Sequence, residues 1–168
     1  MEHRIEVVDY DPSWPEAFER ERVALADSLA PWLAGPIAHI GSTAVPGLCA
    51  KPVIDMLVPV HSLAESYPAI AVLEQRHGYG HWPYKADEMH WLCKPSEHVR
   101  THHVHMVPID SAEAREKLGL GELLRGDATL RERYGALKRE LALMHPYDRE
   151  AYTLAKAPFI RELLLTLR

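Results

Sequence analysis

Cysteine is scarce in this chain of 168 residues: Cys49 and Cys93 are its only two, and no CxxC spacing occurs. That excludes a disulfide scaffold and a cysteine-built zinc site, and it points to a reducing compartment. No run of about 18 apolar residues is present, so no membrane span is expected. The opening stretch MEHRIEVVDYDPSW lacks the apolar core of a secretory signal. Basic residues are in deficit, with 19 Lys and Arg against 24 Asp and Glu and a net charge of −5 with histidine neutral. A nucleic-acid partner is therefore not expected, because neutralising phosphates takes a clustered basic excess. Small anions need only a few local cations and stay open as ligands. A GxxxxGK(S/T) phosphate loop, internal repeats and low-complexity linkers are also missing. The expectation is one cytoplasmic domain over residues 1–168, with its oligomeric state left open.

What the chain does have is ordinary globular material, 47% hydrophobic and 26% charged. Ser13-Trp14-Pro15-Glu16 reads as a capping box opening a first helix, on which Trp14, Phe18, Leu25 and Leu29 share a face. Residues 37–40 read as a short strand, and 52–60 (PVIDMLVPV) as a strand buried on both faces apart from Asp55. A helix over 63–76 stops at His77-Gly78, and strands follow near 80–85, 89–94 and 101–109. The remainder reads as helices over 112–124, 128–144 and 149–167, with Pro158 kinking or dividing the last. The pattern predicts an α/β (α+β) core over 1–110 with a helical tail over 111–168 packed on it.

Three features could carry chemistry. Gly41-Ser42-Thr43 follows the first strand; glycine permits close backbone approach, and successive N–H groups with a hydroxyl can hold phosphate oxygens. The same residues can equally form a plain turn and cap. Asp55 is costly inside an apolar strand unless it is paired or metal-bound. A salt bridge to Lys51 or Arg100 would satisfy it, as would a metal ion. The third feature is Thr101-His102-His103-Val104-His105. Strand alternation puts His103 and His105 on one face, about 6.6 Å apart, with His102 opposite. Such a pair can ligate metal, hold phosphate, exchange protons, or simply be hydrogen-bonded in the core. Lys51, Lys94, Arg100, Arg125, Lys138 and Lys156 are candidate anion contacts, and Trp82, Tyr84 and Trp91 candidate pocket walls.

Taken together, HIGSTAVPGLCAKPVIDMLVPV (39–60) resembles the signature of the GrpB family. RTHHVHMV (100–107), Tyr10-Asp11-Pro12-Ser13-Trp14-Pro15, Tyr134 to Lys138 and Ala151 to Lys156 with Pro158-Phe159-Ile160 are similar to further family segments, so the likeness spans nearly the whole chain. The resemblance implies a nucleotidyltransferase-like mixed sheet flanked by helices. In that superfamily Gly-Ser precedes an Asp-x-Asp or Asp-x-Glu pair by about a dozen residues. Gly41-Ser42 and Asp55 match, but position 57 is Leu57. The GrpB family itself usually lacks the second acid. In a helix of the tail, Leu120-Gly121-Glu122-Leu123-Leu124-Arg125 stands where the family often has Phe-Arg-Asp-Tyr-Leu-Arg, so Gly121 replaces an arginine.

The resemblance implies a nucleotidyl- or phosphoryl-transferase taking a metal-bound nucleoside triphosphate and a small acceptor. Asp55, His103 and His105 are the expected catalytic and metal-binding residues. Gly41, Ser42, Thr43, Lys51, Arg100 and Lys156 are the expected phosphate or substrate contacts. Mg or Mn is the expected ion, with Zn or Fe if the histidines ligate. One carboxylate holds a two-metal pair poorly, so Asp87 and Glu88 are further candidates to complete the site. Two alternatives stand beside this: a metal-dependent enzyme working on a small molecule without a nucleotide, and a non-catalytic ligand-binding module of the same fold.

Overall fold

The apolar run IDMLVPV becomes β2 (Ile54–Val60) in the computed structural model, which describes residues 3–167. Of the expected unit, Met1, Glu2 and Arg168 lie outside the described residues. A strand apolar on both faces needs cover above, below and beside it. β2 accordingly lies between β1 (Ala38–Ile40), antiparallel to it, and β5 (Arg100–Pro108), parallel to it. β4 (His90–Pro95) and β3 (Gly80–Trp82) extend the sheet antiparallel, giving the order β1-β2-β5-β4-β3. Parallel pairing requires a crossover. Here it runs through α2 (Leu63–His77) and the β3–β4 hairpin before returning as β5.

Alternation gives the sheet two different faces. Ile54, Met56, Val58, Val104 and Met106 point to one side and pack with Leu25 and Leu29 of α1 (Trp14–Leu29) and with Ile70 and Leu73 of α2. Leu57, Trp91, Cys93 and Val107 point to the other, where they meet Ala114 of α3 (Ala112–Gly126). α4 (Ala128–Met144) and α5 (Arg149–Leu165) complete the tail. Val45 and Leu48, in the segment after β1, pack with Leu124, Tyr134 and Leu163 and so join that segment to the tail.

Four helices begin as their sequences dictate. The side chains of Ser62, Ser111, Asp127 and Asp148 each accept the backbone N–H three residues on. α2 ends at Gly78 with φ 70°, a left-handed position that suits glycine. Not every expectation holds. The capping box at Ser13 does not form, because Ser13 already has helical dihedrals and its hydroxyl makes no cap bond. Instead Asp11 Oδ1 accepts the Ser13 N–H at 2.8 Å. Nor does Pro158 divide the last helix, which runs unbroken from Arg149 to Leu165. The proline frees only the carbonyl of Leu154, an exposed residue where water can serve it. β2 also starts two residues later than read, after Pro52, which has no N–H to give a ladder.

Replacing Ser13 by Ala is expected to leave stability within about 0.5 kcal/mol of wild type, because this exposed hydroxyl caps no helical N–H. Asp11→Ala is expected to lower the urea midpoint. The opposite ranking would restore the capping box.

Candidate functional site

The register of β2 and β5 assembles the site. Asp55 pairs with His103 and Leu57 with His105, all on the tail-facing side. His103 Nδ1 lies 2.8 Å from Asp55 Oδ1, and His105 Nε2 lies 3.2 Å from the same oxygen. An ionised carboxylate only accepts, so both ring nitrogens are donors. His103 Nε2 and His105 Nδ1 are left buried without a partner. One ligand atom from each of the three residues lies within 4.8 Å of the others. The Asp55 side chain remains 24% exposed, so the cluster can be reached from outside.

The salt bridge to Lys51 or Arg100 is absent, the imidazoles having taken the oxygen. Burial alone would raise the Asp55 carboxyl, but the field and hydrogen bond of His103, then those of His105, hold it well below the usual carboxylate range. Burial outweighs the pull of Asp55 on His105 and takes that imidazole down to about 4, so it is neutral at neutral pH.

Gly41 closes the cluster from the β1 side. Its φ is 73°, and a Cβ there would stand 2.6 Å from Asp55 Oδ2. Only glycine lets the backbone lie so close over the carboxylate. Ser42 opens the following one-turn helix, half-buried beside the Tyr134 hydroxyl. Thr43 departs from expectation. Its hydroxyl donates to the Val53 carbonyl at 3.2 Å and accepts from His39 Nε2 at 2.9 Å, so it fastens the turn to β2 and does not face a ligand. His39 in turn stacks on Phe18, centroids 4.7 Å apart, which ties α1 to the same turn.

Cations line the remaining sides. Lys51 and Lys156 lie within electrostatic reach of Asp55. Arg100 rests on the Trp91 ring at 5.1 Å, and that ring is 5.0 Å from His103. Arg125 donates to the carbonyl of Ala44 at 3.2 Å, beside the turn, and its guanidinium covers Gly121. None of Lys51, Arg100, Arg125, Lys138 and Lys156 forms an ion pair among the described residues.

Other candidates fall elsewhere. Lys94 sits on the α1 side, paired with Glu21 at 2.6 Å, near His102. Asp87 and Glu88 stay exposed in the β3–β4 loop, where Glu88 meets Lys85 at 3.5 Å, so neither completes the cluster. Trp82 and Tyr84 face solvent, leaving Trp91 as the aromatic wall. Tyr134 and Tyr152 border the site too; on helices they read as core, and only their place in the family-like segments 134–138 and 151–156 marks them.

Known proteins share this arrangement of elements. The family model described as GrpB protein matches residues 4–165. A UPF0157 protein of Pseudomonas aeruginosa is 39% identical over 96% of this chain, and YqkA of Bacillus subtilis, another UPF0157 protein, is 30% identical over 94%. The chain spans 66% of the first relative's length and 46% of the second's. The crystal structure of GrpB from Enterococcus faecalis superposes with a TM-score of 0.84 at 35% identity, covering 94% of each chain. A chain of the GLD-2/RNP-8 complex, 12% identical with a TM-score of 0.61, matches in fold over 88% of this chain and 58% of its own. The fold is nucleotidyltransferase-like.

Gly41→Ala is expected to cost roughly 1–3 kcal/mol in urea denaturation, from the strained φ together with the displaced carboxylate. A variant as stable as wild type would mean that the turn and Asp55 move apart freely. Burial also takes His39 down to about 4 from 6.5. A buried imidazole of this kind gains a proton on unfolding between those values, so the fold loses stability as pH drops from about 6.5 to about 4. The urea midpoint should fall across that window, and less steeply in His39→Gln. Equal slopes would remove His39 from the account.

Proposed function

This chain belongs to the GrpB family, and from that premise we propose that it transfers a nucleotidyl or phosphoryl group from a metal-bound nucleoside triphosphate to a small acceptor. The observation that carries the reading is the meeting of Asp55, His103 and His105 beneath Gly41, with unpaired cations around them. The donor set suits a divalent ion. Moving the ring protons to the orphaned His103 Nε2 and His105 Nδ1 would free His103 Nδ1 and His105 Nε2 as ligands without turning either ring. The second acid of the superfamily has no counterpart at position 57, where Leu57 is buried against Trp91 and Val107 and offers no ligand. His105, paired with Leu57 across the ladder, would supply that ligand from the next strand.

A divalent cation held there would supply Lewis acidity and charge neutralisation at a phosphoryl group. The backbone of Gly41 and Ser42, with the Ser42 hydroxyl, would hold phosphate oxygens. Lys51, Arg100 and Lys156 would offset the charge that accumulates there, from which most phosphoryl-transfer catalysis arises. An acceptor oxygen bonds to phosphorus as the bond to the leaving phosphate breaks. Where Asp55 and His105 alone hold the ion, the acceptor's proton would pass to His103.

A second reading is favoured by the donor set itself. Two imidazoles and one carboxylate suit Mn, Zn or Fe better than Mg, and such a centre could act on a small molecule that carries no nucleotide.

Thermal melts against ATP, GTP, CTP and UTP, each with Mg²⁺ or Mn²⁺, test the proposal. A nucleotide at about 100 times its dissociation constant adds roughly 2.7 kcal/mol, or roughly 5–10 °C at this size. A metal-dependent rise with one nucleotide, lost in Asp55→Asn and followed by release of pyrophosphate or nucleoside diphosphate on adding acceptors, is the expected outcome. Metal uptake with no response to any nucleotide would move the assignment to the second reading. Neither metal nor nucleotide binding would leave a module without catalysis.

A further inference from the structure

Three lysines from separate segments converge beside the Asp55 cluster. Lys51 lies in the segment before β2, Lys138 on α4 and Lys156 on α5. The ammonium groups of Lys51 and Lys156 stand 5.1 and 4.4 Å from the centroid of the Tyr152 ring, and that of Lys138 stands 4.7 Å from that of Tyr134. Lys138 is 2% exposed and donates to the Cys49 carbonyl. Among the described residues none of the three has a carboxylate within ion-pair distance.

The surrounding charges deepen the imbalance. Arg100 of β5 and Arg149 of α5 repel Lys51, and Arg139 of α4 repels Lys138. Among the described residues, Asp55 pulls Lys51 and Lys156 the other way and the Cys49 thiol does so for Lys138. Tyr152 is pushed up to about 12 by burial and Tyr134 is raised as well, so neither phenol supplies a negative charge. Burial, then repulsion from its neighbours, takes Lys156 down to about 7. Burial takes Lys138 down to about 8, and Lys51 is lowered too. Cations that are half-buried, as Lys51 and Lys156 are, or buried, as Lys138 is, and that repel one another without a counter-charge are costly. They become favourable when an anion enters.

We propose that Lys51, Lys138 and Lys156 form a subsite for the polyphosphate tail of a small molecule, and that it takes this tail without needing a metal. Charge and shape favour polyphosphate over a carboxylate. One carboxylate would leave two ammonium groups uncompensated, whereas a polyphosphate brings several charges and oxygens in many directions to three point-like donors. The inference rests on the transferase reading for how the tail's reacting end meets Asp55, but not for binding itself. Entry of the anion favours the protonated lysines, so binding near pH 7.5 takes up protons from solvent.

The test is calorimetric titration of the whole chain with tripolyphosphate in EDTA at pH 7.5, in two buffers that differ in ionisation enthalpy. Wild type is expected to bind, with a buffer-dependent heat that reports net proton uptake. Lys156→Met and Lys138→Met should each weaken binding about tenfold or more, the loss expected for a charge-assisted contact. Asp55→Asn should bind at least as tightly as wild type, because the opposing negative charge is gone. A nucleoside triphosphate titrated in the same EDTA buffer separates the sources. Tighter binding than tripolyphosphate means that the tail arrives on a nucleotide, and equal binding means that free polyphosphate suffices. Absence of binding by wild type at millimolar tripolyphosphate, or unchanged affinity in Lys156→Met, overturns the subsite. If Lys138→Met does not fold, wild type and Lys156→Met decide. Tripolyphosphate binding without any metal-dependent nucleotide effect would end the transferase reading and keep the subsite.

Discussion

The parallel register between β2 and β5 is the constraint on which the rest depends. It sets Asp55 opposite His103 and Leu57 opposite His105. Because side chains alternate, a slip of one residue would send both imidazoles to the α1 and α2 side and bring His102 and Val104 to the carboxylate. The register is held by the apolar residues between the polar ones. Met56, Val58, Val104 and Met106 are fully buried on the opposite face, and a slip of one residue would turn one strand's pair out of it. The burial that stabilises one face therefore aligns the chemistry of the other.

Much of this was legible in the sequence. PVIDMLVPV announces a central strand because it is apolar at both parities, and its single carboxylate stands out for the same reason. THHVHMVPI gives the His103 and His105 face by alternation alone. The partner of Asp55 was not legible, because Lys51, Arg100 and the imidazoles were all chemically suitable and only the register chooses. Local signatures misled where a competitor lay nearby. The box at Ser13 is well formed in letters, yet Asp11 two residues earlier takes the backbone N–H. Thr43 reads like part of a ligand loop, but the Val53 carbonyl and His39 are within its reach and occupy its hydroxyl. The convergence of Lys51 with Lys138 and Lys156 joins residues about a hundred positions apart, and nothing in any one segment records it.

The net charge of −5 also conceals a local reversal. Acids are spread over exposed helical surface, where they pair with neighbours such as Arg20 and Arg22. Cations without acidic partners gather where the sheet meets the tail. An overall balance that argues against a nucleic-acid partner is therefore compatible with strong attraction for a small anion, because the field at a half-buried point is set by nearby groups.

The carboxylate and imidazoles belong to the sheet, whereas Lys138 and Lys156 belong to helices of the tail. These layers are joined mainly by apolar contacts around Val45, Leu48, Leu124, Tyr134 and Leu163. A molecule that reached both sets of groups would be a further tie between the layers, beside the bonds that Lys138 and Arg125 make to the carbonyls of Cys49 and Ala44. Its departure would remove that tie. Release of product and loosening of the tail against the sheet would then be one event.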